Sequence, residues 1–100
     1  MGRYEVGFPG ERIEKEFEKN LKKIPSHYQL NIQEAIYSLA DNPRPAGKKY
    51  KPLKGEIIVR HFLATCRLRV GPYRILYDVD DAKKKVILLA LRKRQESTYD

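Results

Sequence analysis

The sequence predicts an α+β domain of element order β-α-α-β-β-β: an antiparallel sheet meander with a two-helix hairpin packed on one face and a basic open face. Three observations lead there. Two consecutive segments carry apolar side chains at helical spacing, the stretch from Arg67 to Val79 alternates with a period of two about a tight turn, and positive charge is concentrated in the second half of the chain. One hundred residues suffice for one modest core and not for two, so residues 1–100 read as a single domain.

The elements follow in order. In Arg3 to Phe8, Tyr4, Val6 and Phe8 alternate against Arg3, Glu5 and Gly7, the pattern of a short strand ended by Pro9 and Gly10. Ile13, Phe17, Leu21 and Ile24 then fall four, four and three apart, one stripe of a helix whose other faces are solvated by Lys and Glu. Pro25 stops that helix, and Ser26 three residues before Gln29 has the spacing of a capping box for a second. Tyr28, Ile32, Ala35, Ile36 and Leu39 form its stripe, and Asp41, Asn42 and Pro43 end it. Each helix alone would be marginal in water, so both must lie on something apolar.

From Pro43 to Gly55 the text PRPAGKKYKPLKG is a basic loop, too rich in Pro and Gly for a helix or a central strand. Glu56 to Ala64 runs on without a turn signal into Cys66, which predicts one long bent strand with a bulge near Phe62 and Leu63. Gly71 and Pro72 reverse the chain between Arg67–Val70 and Tyr73–Val79. Alternation puts Leu68 and Val70 on one face and Arg67, Arg69 and Arg74 on the other. Val86 to Leu91 is apolar throughout, as in a strand buried on both faces.

Composition excludes several classes. No run approaches the roughly 18 apolar residues of a membrane helix, and the chain opens with no signal pattern, so it reads as cytoplasmic with no membrane partner. A lone Cys66 permits no internal disulfide, and the two histidines, His27 and His61, make no cluster with metal-ligand spacing; neither metal nor cofactor is expected. The charge is informative. Residues 1–43 carry six Lys or Arg against seven Asp or Glu, a net of −1, whereas residues 44–94 carry fifteen against four, a net of +11. A near-neutral scaffold with a cationic half implies a polyanion-facing surface, with nucleic acid the commonest such partner.

The element order, PLKG at Pro52 to Gly55, LRVGPYRILY at Leu68 to Tyr77 and RKRQESTY at Arg92 to Tyr99 together resemble the RelE/ParE toxin superfamily of toxin–antitoxin systems. The resemblance covers nearly the whole chain, and the hairpin motif is its most specific part. It implies a cognate antitoxin as partner and, on the RelE-like branch, an endoribonuclease that cleaves mRNA on the ribosome by attack of a 2′-hydroxyl on the adjacent phosphate. The ParE-like branch, which inhibits DNA gyrase, and a diverged member that binds RNA or antitoxin without cutting are the alternatives. Carried over by motif, the catalytic positions are Arg67, Arg74, Arg94 and Tyr99; Lys48, Lys49, Lys51, Lys54, Arg69, Arg92 and Lys93 are the RNA-binding ones. Independently of the resemblance, the sheet arginines and those ending the last strand have heads that can converge on a phosphate. A tyrosine amid guanidinium groups becomes a better base. Three features depart from the pattern: Thr65 stands where the family often has lysine, no histidine lies near the C-terminus, and residues 56–66 make a longer, more apolar lead-in.

Overall fold

The computed structural model describes residues 3–94. Strand β1 (Glu5–Gly7) leads through Pro9 and Gly10 into helices α1 (Glu11–Lys22) and α2 (Ser26–Leu39), followed by β2 (Tyr50–Pro52), β3 (Ile58–Val59), β4 (Phe62–Leu63), β5 (Cys66–Val70), β6 (Tyr73–Asp80) and β7 (Lys85–Lys93). Five strands form one sheet in the order β1-β7-β6-β5-β2, and β3 with β4 forms a separate hairpin. The sheet is antiparallel except where β1 joins it, because the helix pair returns the chain so that β1 runs parallel to β7.

Both helices lie on one face. Ile32 and Leu39 of α2 and Phe17 of α1 meet Leu68, Ile75, Tyr77 and Leu91 in the main core. Gly71, at φ 60, opens the β5–β6 turn ahead of Pro72, the sign pattern of a tight hairpin in which the first central residue is glycine. Tyr28 covers that turn: a Cβ on Gly71 would come within 2.8 Å of its ring. Tyr28 also packs edge-on against Tyr73 at 5.4 Å, so the start of α2 and the turn are locked together.

Four local expectations differ from the structure. Ser26 makes no side-chain cap; it is the first residue of α2, after Pro25, and Gln29 instead donates through Nε2 to the Ile24 carbonyl at 2.7 Å. The basic loop is not irregular throughout, since Tyr50–Pro52 pairs with β5 as an edge strand, a position where Pro52 costs no central ladder bond. Residues 56–66 are not one bent strand. They fold back at Arg60 and His61, with Arg60 at φ 57, so Ile58 pairs with Leu63 and Val59 with Phe62. The sheet's second face is accordingly only half open: Leu76 and Leu89 lie apart from the α2 core and are covered by Val59 and Ala64, with Ile13 of α1 completing this smaller core. A register shift beside Leu76 and Tyr77 lets the apolar run of β7 feed both cores.

The segment after α2 is tied to the sheet twice. The buried Tyr77 hydroxyl donates to the Pro43 carbonyl at 2.6 Å. Arg44 grips Asp81 through Nη1 and Nη2 at 3.1 and 2.9 Å, while the Tyr4 hydroxyl donates to the same carboxylate at 2.7 Å. These bonds, Arg44's first and Tyr4's second, hold the Asp81 carboxyl below its ordinary pKa. A group so shifted stabilises the fold fully above its unfolded pKa, near 4 for an aspartate, and loses that contribution as pH falls through the lower folded value. Asp81→Asn is therefore expected to flatten the acid limb of a plot of melting temperature against pH below about 4. An unchanged acid limb would show that the clamp contributes nothing to stability. No helix among the described residues is long and apolar enough to cross a membrane.

Candidate nucleic-acid interface

The open half of the second sheet face carries a row of like charges. In the β5–β6 pairing Arg69 stands opposite Arg74, and in the β6–β7 pairing Arg74 stands opposite Arg92. Lys49, one residue before β2, accepts the Arg69 backbone N–H at 2.9 Å and so extends the row to a fourth strand position. Adjacent strands are about 4.8 Å apart, so these four cations span roughly 14 Å. Like charges directly opposite on a sheet are destabilising, which makes the row a feature the fold alone would not select.

A second row lies one step along the strands, where Lys51 pairs with Arg67 and Arg67 with Leu76. Arg67 is only 3% exposed, and its Nε and Nη1 have no hydrogen-bond partner among the described residues. Burial first, then the charges of Arg69, Arg74 and Arg94, push its pKa down. Burial, followed by Arg92 and Arg94, does the same to Arg74. Arg94 is thus close enough to act on both, and its backbone N–H donates to the Pro72 carbonyl at 2.7 Å, which holds the end of the last strand beside the hairpin turn. Among the described residues no carboxylate pairs with Lys49, Arg67, Arg69 or Arg92.

The candidate residues therefore separate. Arg67, Arg69, Arg74, Arg92, Lys49 and Lys51 share one face by register, with Arg94 at its end. Lys93 differs in placement: it pairs with Tyr73 and alternates to the helix side, where it joins Asn20, Lys23 and Tyr73 around a cleft of about 740 Å³ at the open edge of β7 that Arg74 and Arg92 also line. Lys54 is exposed beyond β2, its backbone N–H donating to Glu56 at 3.1 Å, and Lys48 is exposed before the row. Tyr99 lies outside the described residues. His61 sits exposed at the tip of the β3–β4 turn.

Thr65, at the position where the superfamily often has lysine, donates through Oγ1 to Asp78 at 2.6 Å. Asp78 also accepts the Val79 backbone N–H at 2.9 Å. Asp78 and Leu76 were missed as members of the arginine face, although the alternation Arg74, Leu76, Asp78 carried the signal. Tyr50, whose hydroxyl meets the Cys66 sulfur at 3.6 Å, anchors the edge strand and does not project from it; burial and that contact raise its pKa to about 12.

Arg67→Met separates fold from function. It removes a buried guanidinium with two unsatisfied nitrogens and keeps the stem's volume, so stability should rise by about 1–2 kcal/mol. Affinity for single-stranded RNA should fall in the same protein. A destabilised variant, by urea denaturation, would mean that Arg67 serves the core.

Comparisons with known proteins bear on the family and the overall fold. Residues 12–98 match the family model for the ParE toxin of type II toxin–antitoxin systems, parDE. The toxin–antitoxin complex RelBE2 from Mycobacterium tuberculosis is similar at 27% identity, covering 94% of each chain, with a TM-score of 0.68. The archaeal RelE–RelB complex from Pyrococcus horikoshii matches at 24% identity over 97% of this chain and 100% of that one, TM-score 0.73. A mutant of the E. coli toxin RelE in the free state matches at 23% identity over 95% and 87%, TM-score 0.59; these last two likenesses concern the fold. No curated protein matches the chain. With the matched family model spanning most of its length and the overall fold shared with the RelBE2 and RelE–RelB structures, the chain belongs to the ParE toxin family of type II toxin–antitoxin systems, within the RelE/ParE superfamily.

Proposed function

We propose that this toxin is a ribosome-dependent mRNA endoribonuclease acting in the cytoplasm and held in check by a cognate antitoxin. The observation that carries the reading is the row Lys49, Arg69, Arg74 and Arg92, backed by the buried Arg67. Such a surface suits a phosphodiester passing through a crowded, doubly charged transition state. In the proposed step the 2′-oxygen forms a bond to the adjacent phosphorus while the bond to the 5′-oxygen breaks, giving a 2′,3′-cyclic phosphate and a free 5′-hydroxyl. A base takes the 2′-hydroxyl proton and an acid returns one to the leaving oxygen. Arg67, Arg74 and Arg94 are assigned the phosphate, Tyr99 the base, and Lys48, Lys49, Lys51, Lys54, Arg69 and Arg92 the backbone of the message. Lys93, on the other face, is assigned to ribosomal RNA. The toxin–antitoxin complex RelBE2 from Mycobacterium tuberculosis and the RelE–RelB complex from Pyrococcus horikoshii support the partner.

The family match itself favours a second reading, a gyrase inhibitor without chemistry. The test is to add purified protein to a cell-free translation reaction and map mRNA ends, with a gyrase supercoiling assay alongside. Cleaved messages bearing 5′-hydroxyl ends support the first reading. Intact messages with loss of supercoiling would replace it by the second.

A further inference from the structure

The β3–β4 hairpin is the part of the chain that the arginine surface does not use. Its inner side is committed: Val59 is 6% exposed and Ala64 fully buried, both against Leu76. Its outer side is not. Ile58 and Leu63 are direct cross-strand partners and so share one face, and they are 62% and 44% exposed. Phe62, paired with Val59, stands at the rim, 38% exposed. Ile58 and Leu63 make an exposed apolar pair on the outer face, and Phe62, on the Val59 side, adds a partly exposed ring; water alone does not favour such a surface. The hairpin is held in place: Arg60, at φ 57 in the turn, grips Glu16 of α1 through Nε and Nη2. A non-glycine residue at positive φ marks a turn kept in that shape by its surroundings.

Its neighbours define the chemistry of an occupant. Arg60 and His61 form the tip, and Lys54 and Lys51 flank the chain entering it. Two acids lie near it and both are engaged: Glu16 by the Arg60 guanidinium and Glu56 by the Lys54 backbone N–H. The arginine rows begin immediately behind, since Ala64 lies three residues before Arg67. Two of the three exposed side chains are aliphatic, and nucleobases seek aromatic planes, so the patch suits apolar side chains better than a base. Cations around it favour carboxylates next to those side chains.

We infer that the outer face of the β3–β4 hairpin is the anchor for an acidic, amphipathic segment of a protein partner, with Ile58, Leu63 and the rim of Phe62 taking its apolar stripe and the surrounding cations its carboxylates. In a toxin of this family the partner of that chemistry is the antitoxin, and anchoring there sets its acids at the mouth of the arginine rows. The inference rests on the antitoxin part of the proposed function and is independent of RNA cleavage.

The experiment uses the full chain and a helical peptide of about 20 residues with leucines on one stripe and glutamates elsewhere. Two control peptides replace the leucines by serine or the glutamates by glutamine, and a uridine-only RNA oligomer is titrated in parallel. Ile58→Ser/Leu63→Ser, at exposed positions, should melt as the wild type does, bind the acidic peptide about tenfold more weakly and bind the RNA unchanged. The serine peptide should fail on the wild type, and the glutamine peptide should bind weakly with little salt dependence. Equal binding of the peptide by wild type and double variant would overturn the proposal. A drop confined to RNA would overturn it too and make the hairpin a nucleic-acid platform. Cleavage, scored separately, distinguishes the failures: a wild type that binds the peptide through the hairpin and cuts no message loses its proposed activity and keeps this interface.

Discussion

Arg74→Ala is expected to abolish RNA cleavage and toxicity, a loss of roughly 10²–10³-fold or more if one phosphate-facing donor is removed from a preorganised site. The protein should melt no lower than wild type. Arg74 sits between Arg69 and Arg92 as their direct cross-strand neighbour, and Arg92 and Arg94 already press its pKa down, so deleting its charge relieves repulsion in the folded state. Arg74→Lys keeps the charge and loses the planar fork that engages two phosphate oxygens at once. It should retain RNA affinity at low salt while cleavage stays far below wild type. The measurements are the rate of mRNA cleavage in a translation reaction and the melting temperature. A folded Arg74→Ala protein with full activity would remove the central assignment of the site.

Tyr77→Ala is expected to cost about 3–5 kcal/mol, because the ring is fully buried between β5, β7 and α2. Against a total stability of about 5–15 kcal/mol for a domain, that removes between about a fifth and all of the folding margin. Tyr77→Phe isolates the hydroxyl. Burial raises the phenol's pKa well above its usual value, so it stays a donor to the Pro43 carbonyl at any working pH. Losing that bond should cost about 1–2 kcal/mol and loosen the segment from Pro43 toward Lys49, which the Arg44–Asp81 clamp still tethers. Because Lys49 ends the cation row, the Phe variant should also bind RNA more weakly than its stability loss explains. Urea denaturation and RNA titration read the two effects; equal stability of wild type and Tyr77→Phe would show that the hydroxyl bond is neutral.

Much of the site was legible because it is written in short-range periods. Arg67, Arg69 and Arg74 had to share a face once Gly71 and Pro72 were read as a tight turn, since side chains on paired strands alternate with a period of two. The same rule places Lys93 on the face opposite Arg92, and Leu76 and Asp78 on the face of Arg74, consequences available in the letters that the motif-based assignment of the basic residues did not use. The hairpin of residues 58–63 was harder. EIIVRHFLA contains no glycine or proline to announce a reversal, and the Arg60 turn is held by Glu16, forty-four positions earlier in the chain.

By itself, then, the sequence determined the helix pair, the β5–β6–β7 meander, the arginine-bearing face and the family, all of which depend on spacing, turn residues and motif. Tertiary structure alone decided that β1 runs parallel to β7, that Lys49 joins the arginines through an edge strand, and that half of the arginine face is roofed by a hairpin with an apolar outer side. The reason is physical: local chemistry limits how a segment turns and which side chains share a face, whereas strand register and the burial of Leu76 and Leu89 are set by contacts between segments far apart in the chain.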